Sequence, residues 1–244
     1  MHDAVGGTGV ESLKGGYPQI VGYVGGQAAA RDIDDLELQS ARRALRLLKA
    51  RLTADEMDRL LRRDLDESDA RWRHWAANSD GSWRASEVDF KISGLTKAQF
   101  TEWWSTALDD LPDVVFPAFP EHYRFGWVDD PRRVADQCYL VVEELGHVPF
   151  RMYATFDSGS APIDPLPGYE VLSAGVGRLA DGTEVARFMT QVKEQSSGFA
   201  LRTGLYFVSA ATDDVVHSHI DQLLVEWTRW FEMAILHFRP VLRD

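Results

Sequence analysis

"VVHSHIDQLLVEWTRWFEMAIL", residues 215–236, decides how the chain is read. At about 100° per residue, Val216, Ile220, Leu223, Trp227, Phe231, Ala234 and Phe238 share one face of a long helix. Leu224 and Ile235 widen that stripe, and His217 and Asp221 sit on the widened edge. His219 lies on the opposite edge, near Glu226 and His237. Thr212 is placed to cap the helix, Asp213 and Asp214 suit the positive end of its dipole, and Pro240 ends it. A helix this apolar needs a surface to cover.

The preceding residues supply one. "YEVLSAGVGRLADGTEVARFMTQVKEQSSGFALRTGLYFVSA" (169–210) predicts three strands turning at "ADG" and "SSG". "QCYLVVEELGHVPFRMYATFD" (137–157) predicts two more around an "LGHVP" turn. Residues 112–127, with prolines at 112, 117 and 120, read as irregular and aromatic-rich. Before them come a helix capped by Thr96, with Phe100, Trp103 and Trp104 on its apolar face, and a strand over "WRASEVDFKI" (83–92). The order is strand, helix, irregular segment, antiparallel strands, long helix. It predicts an α+β architecture: a curved antiparallel sheet gripping the last helix, with a cavity between them.

Residues 82–244 form this cavity domain. Residues 34–81 read as a helical extension, in which Leu36, Leu38, Leu45, Leu48 and Leu52 lie near one stripe. "TADE" (53–56) is a capping-box pattern opening a second helix, and 65–81 read as polar, ending in the turn "NSDGS". Residues 1–33 are a Gly-rich arm; "GGTG" there has neither the preceding strand nor the following helix of a dinucleotide loop.

Composition narrows the partners. With 26 Lys+Arg against 38 Asp+Glu, the formal charge is −12, which argues against a nucleic-acid partner because phosphate binding needs concentrated cations. Cys138 is the single cysteine, so no intrachain disulfide forms and a reducing compartment fits. No apolar run reaches the roughly 20 residues of a membrane span, and the N-terminus lacks the order of a secretory signal. A soluble cytoplasmic protein is the expectation. The aromatic helix also suits a homodimer.

Three groups can carry chemistry. His217 and Asp221, four apart on the last helix, are neighbours that can share a metal ion, or else form an exposed pair at a helix start. Glu144 shares a strand face with Cys138, Leu140 and Val142, read as inward; Glu143 then points outward, unless a one-residue bulge exchanges them. A buried carboxylate there needs a metal or an ion-pair partner, Arg151 or Arg187. His122 and Tyr123, among aromatics, can donate protons or line a ligand, or simply plug one end of the sheet. Eight tryptophans, with Trp103, Trp104 and Trp127 near these groups, suit a flat hydrophobic or aromatic small molecule, with Leu224 beside it.

The element order over residues 82–240 resembles the helix-grip fold of the Bet v 1-like (START/polyketide-cyclase) superfamily. Within it, "FTEWW" (100–104), "PEHYRFGW" (120–127), "VVEELG" (141–146) and a His-x-x-x-acid pair on the last helix resemble the diacetylphloroglucinol hydrolase (phloretin hydrolase-like) family. The resemblance implies a bound zinc and cleavage of a C–C bond between a phenolic ring and an acyl group. It implies His217, Asp221, Glu144 and His122 as metal ligands, and Tyr123, His122 and Glu144 as catalytic groups. One departure stands: the family's "HP…DH" stretch is replaced here by "WVDDPRR", so His122 or Asp129 takes the place of a histidine ligand, or the metal site is incomplete. The alternatives are a metal-free polyketide-type cyclase and a non-catalytic carrier of hydrophobic ligands.

Overall fold

The structure, a computed structural model, describes residues 23–24, 27–28, 33–110, 116–131 and 137–238. Most of the Gly-rich arm and Pro240 lie outside these residues. The chain divides after Ala44 into two units. The first holds two short antiparallel strands, β1 (Tyr23–Val24) and β2 (Gln27–Ala28), and most of α1 (Ile33–Lys49). The second, residues 45–244, holds everything described below.

α2 (Ala54–Ala77) starts at the expected capping box: the Thr53 side chain accepts from the Glu56 amide and the Glu56 carboxylate accepts from the Thr53 amide. It runs on to residue 77, through most of the stretch 65–81 read as polar. The reason is that its inward stripe mixes apolar and polar residues. Leu65, Ser68, Asp69 and Trp72 are all buried. Asp69 is held by Arg151 of the sheet at 2.7 Å, so a carboxylate sits where a leucine would ordinarily advertise a helix face.

Seven antiparallel strands form one sheet: β3 (Trp83–Ser93), β4 (Arg124–Asp129), β5 (Gln137–Leu145), β6 (Val148–Phe156), β7 (Glu170–Arg178), β8 (Glu184–Gln195) and β9 (Gly198–Val208). Their spatial order is β3-β9-β8-β7-β6-β5-β4. β4 comes from the proline-rich segment read as irregular, after a short 3-10 turn at Phe116–Ala118. β5 and β6 turn at Gly146 and His147, both with positive φ (59° and 64°), the backbone that lets a two-residue hairpin follow the strand twist. α3 (Lys97–Asp110) follows β3, with Thr96 and Gln99 bonding reciprocally at its start.

The last helix, α4 (Asp213–Phe238), lies against the sheet, and Phe231 and Ala234 toward its C-terminal end are packed into the core. Phe100 of α3 stacks on Phe199 of β9 at 5.3 Å between ring centroids and meets Phe231 of α4 at 5.1 Å. Farther along, a gap remains. Beside it, Gly175 of β7 meets a close approach that leaves no room for a side chain: a Cβ there would overlap the Thr155 carbonyl oxygen and lie 2.5 Å from the Phe188 ring, which lines the gap. This is the α+β, helix-grip, Bet v 1-like arrangement that the element order predicts.

Candidate functional site

The gap between α4 and the sheet is a cavity of about 130 Å³. Trp104, Trp227 and Trp230 wall it on the helix side, and Phe125, Tyr139 and Phe188 on the sheet side. Trp104 stacks on Trp227 at 5.1 Å with 28° between the rings, which fixes a flat aromatic wall.

One end of this apolar space is polar. Glu143 of β5 and His219, Gln222 and Glu226 of α4 line it, each no more than 6 % exposed. Behind the carboxylates stands His122, wholly buried. Its position is set by the segment leading into β4: the Lys49 ammonium donates to the Pro120 and His122 carbonyls, and the Tyr123 amide donates to Val142 O at 2.7 Å. The imidazole stacks flat on Phe125, 4.9 Å between centroids and 7° between planes. Nδ1 lies 3.1 Å from the Phe116 carbonyl, which only accepts, so Nδ1 carries a proton. Nε2 faces Glu226 Oε1 at 3.1 Å and Glu143 Oε2 at 3.5 Å. Gln222 Nε2 donates to the same Glu143 oxygen.

The electrostatics follow from this crowding. Burial works to lower the His122 pKa, but Glu226 and Glu143 outweigh it and hold the imidazole well above its ordinary value. Burial works to raise Glu143, yet the hydrogen bond and charge of His122 keep it below the usual carboxylate range. Glu226 is raised, because burial there exceeds what His122 returns. The cluster therefore stores a proton on His122, between a Glu143 carboxyl pushed down and a Glu226 carboxyl pushed up. His219 behaves oppositely: burial lowers it to about 4, so it is neutral near pH 7, with Nδ1 2.8 Å from Ser86 Oγ.

The residues expected from the sequence divide between this site and the surface. His122 and Trp104 belong to the site. His217, Asp221 and Leu224 are exposed and do not line the cavity. The buried arc of α4 includes Val215, His219, Gln222, Glu226 and Trp230, which places its centre about 50° from the stripe drawn through leucines and phenylalanines. Glu144 is likewise displaced: Tyr139, Val141 and Glu143 face the cavity, whereas Leu140 and Val142 pack on Leu65 of α2. Burial of both faces hid which one was inward. Glu144 instead lies 3.6 Å from the exposed His147 ring. Tyr123 is half-buried beside the Leu65 cluster, under the Lys49 ammonium at 4.8 Å, outside the cavity. Trp103 is core against Phe100. Trp127 is 45 % exposed, its ring edge-on to Tyr139. Asp129 is exposed at the end of β4. Glu143, His219, Gln222 and Glu226 are the site residues that sequence reading missed; the 222/226 spacing, four apart beside Leu223 and Trp227, was the available signal.

No protein-family model matches the chain, and no curated protein matches it. Among solved structures it is similar to Ara h 8.0201, at 14 % identity and a TM-score of 0.42, over 64 % of this chain and 99 % of that one. It is also similar to a putative uncharacterized protein from Rhizobium leguminosarum, at 13 % identity and 0.38, over 64 % and 97 %. Likeness at this level says nothing of ligand or activity, which are read from the site alone. Among the described residues no helix is long and apolar enough to cross a membrane.

Proposed function

We propose that the chain is an enzyme acting on a flat, mostly apolar ligand, and that it cleaves a C–C bond between a phenolic ring and an acyl substituent by acid–base chemistry. The observation that carries this reading is the His122–Glu143–Glu226 cluster opening onto an aromatic cavity. Such a cleavage adds water across one bond: the ring carbon gains a proton and the acyl carbon gains a hydroxyl, leaving as a carboxylic acid. Glu226, whose carboxyl is raised, supplies the proton to the ring carbon. Glu143, held ionised, takes a proton from the attacking water. His122 touches neither reacting carbon; it positions both carboxylates and shares the stored proton. Gln222 Oε1 is buried without a protein partner, an acceptor aimed to receive a phenolic hydroxyl. Glu226→Gln tests the assignment. Turnover of an acylated polyphenol is expected to fall at least about 100-fold with binding retained; full activity in the variant would refute it.

The zinc expected from the resemblance does not fit its expected ligands. His122 is wholly buried and Glu144 lies on the other face of β5, while His217 and Asp221 are exposed. No step above runs through a metal. A second reading is metal-assisted, and what favours it is that one imidazole nitrogen and two carboxylates, donor types that zinc takes, lie together in the cluster, with Nε2 of His122 3.1 Å from Glu226 and 3.5 Å from Glu143. As they stand the three groups close on one another, and among the described residues no group of three or more His, Cys, Asp or Glu side chains is placed to hold a metal ion. His122, Glu143 and Glu226 would hold the ion in place of the stored proton, and it would supply Lewis acidity. Equilibrium dialysis against Zn²⁺ separates the readings: one ion bound by the parent protein and none by Glu143→Gln favours the metal, and none bound by either leaves the proton cluster.

A further inference from the structure

We propose that the sheet floor of the cavity carries a second polar subsite, a cross-strand ladder of hydroxyls from Ser173, Thr190 and Thr203, which takes a hydrogen-bond acceptor oxygen of the ligand. The inference rests on the reading that the cavity binds a small molecule.

Ser173 pairs with Thr190, and Thr190 with Thr203, in the registers of β7, β8 and β9, so the three hydroxyl residues stand side by side on adjacent strands. All three line the cavity. Thr190 and Thr203 are 5 % and 4 % exposed, and their Oγ1 atoms are 2.9 Å apart. In such a pair one hydroxyl donates to the other, and the second proton needs an acceptor of its own. Among the described residues neither threonine has another side-chain hydrogen bond, so that proton is available to whatever occupies the cavity. A hydroxyl facing an apolar space without such a partner is costly.

The neighbouring positions argue against packing as the sole reason for these residues. Two steps along the same face in one direction the cross-strand pair is Val192 with Leu201, and in the other Phe188 with Leu205. Both pairs are apolar, and valine has the shape of threonine without its hydroxyl. The ladder therefore interrupts an apolar surface where the surface borders the cavity. Its chemistry also complements the opposite wall. The ladder has a proton to give, whereas Gln222 Oε1 has only lone pairs to offer. A ligand lying between them presents a donor to Gln222 and an acceptor, such as a carbonyl or ether oxygen, to the ladder.

The experiment uses the full chain and two probes of equal shape, 2-acetylnaphthalene and 2-isopropenylnaphthalene, which exchange C=O for C=CH₂. Binding is followed by quenching of the eight tryptophans. One net hydrogen bond corresponds to a preference of about five- to ten-fold for the ketone. Thr190→Val/Thr203→Val is expected to level the two affinities, because both partners are replaced together and the fold is kept. Thr203→Ser, which restores a hydroxyl, keeps the preference. Should the double variant unfold, Thr190→Val/Thr203→Ala carries the same test, because either threonine left alone still has a proton to give. A preference that survives in the folded valine variant, or equal affinities in the parent protein, overturns the subsite while leaving ligand binding intact. Binding of neither probe overturns the cavity reading and the subsite with it.

Discussion

Two carboxylates facing one imidazole nitrogen in a buried site compete for a proton, and the winner defines the acid. Here Glu226 is raised and Glu143 lowered, which is why the first is proposed as the acid and the second as the base. The surface residues first expected to act supply the control. His217→Ala/Asp221→Ala is expected to change stability by less than about 0.5 kcal/mol and to leave turnover unchanged, checked by thermal unfolding and an activity assay, because both side chains are exposed. His219 gives a pH signature. Its folded value is about 4 against an ordinary 6.5, so on acidification the unfolded chain takes up a proton first. The stability it contributes is complete above about pH 6.5 and is lost as pH falls toward 4, at no more than about 1.4 kcal/mol per pH unit. His122, raised in the fold, is protonated in both states below 6.5 and adds no slope there. Glu226, raised in the fold, works the other way over this range, so the His219 contribution is read as a difference: in denaturant titrations from pH 7 to 4.5 the parent should lose more stability than His219→Asn.

At the scale of the element, what could be read from the sequence depended on whether a face is buried by apolar residues alone. α4 was legible as a helix because Leu223, Trp227 and Phe231 repeat at helical spacing. Its inward direction was misplaced because His219, Gln222 and Glu226 occupy buried positions that hydropathy assigns to solvent. β5 failed similarly: its alternation carries information only when one face is wet, and α2 covers the second face through Leu65. That packing makes a prediction. Leu65→Ala is expected to cost about 2–5 kcal/mol, seen as a lowered denaturation midpoint. A loss below about 1 kcal/mol would mean that α2 contributes little to the sheet unit.

Across the whole molecule, the order of elements was enough to predict the grip of sheet on helix, because connectivity and antiparallel turns leave few other arrangements. The cavity itself was expected, but its polar end was not located. That end assembles from β5, α4 and the segment before β4, residues separated by up to about a hundred positions, and such convergence leaves no local periodic trace. The cavity's size offers a test at this scale. Ala154, on its wall, is 4 % exposed. Ala154→Phe is expected to fill the space and weaken ligand binding at least about ten-fold, measured by tryptophan quenching, while circular dichroism stays near that of the parent. The most direct measurement of the central claim is release of acetic acid from an acetylated 1,3,5-trihydroxybenzene by three proteins side by side. The parent and His217→Ala/Asp221→Ala are predicted to release it at equal rates and Glu226→Gln to release almost none. Release by Glu226→Gln at the parental rate, or none by the parent, would contradict the account.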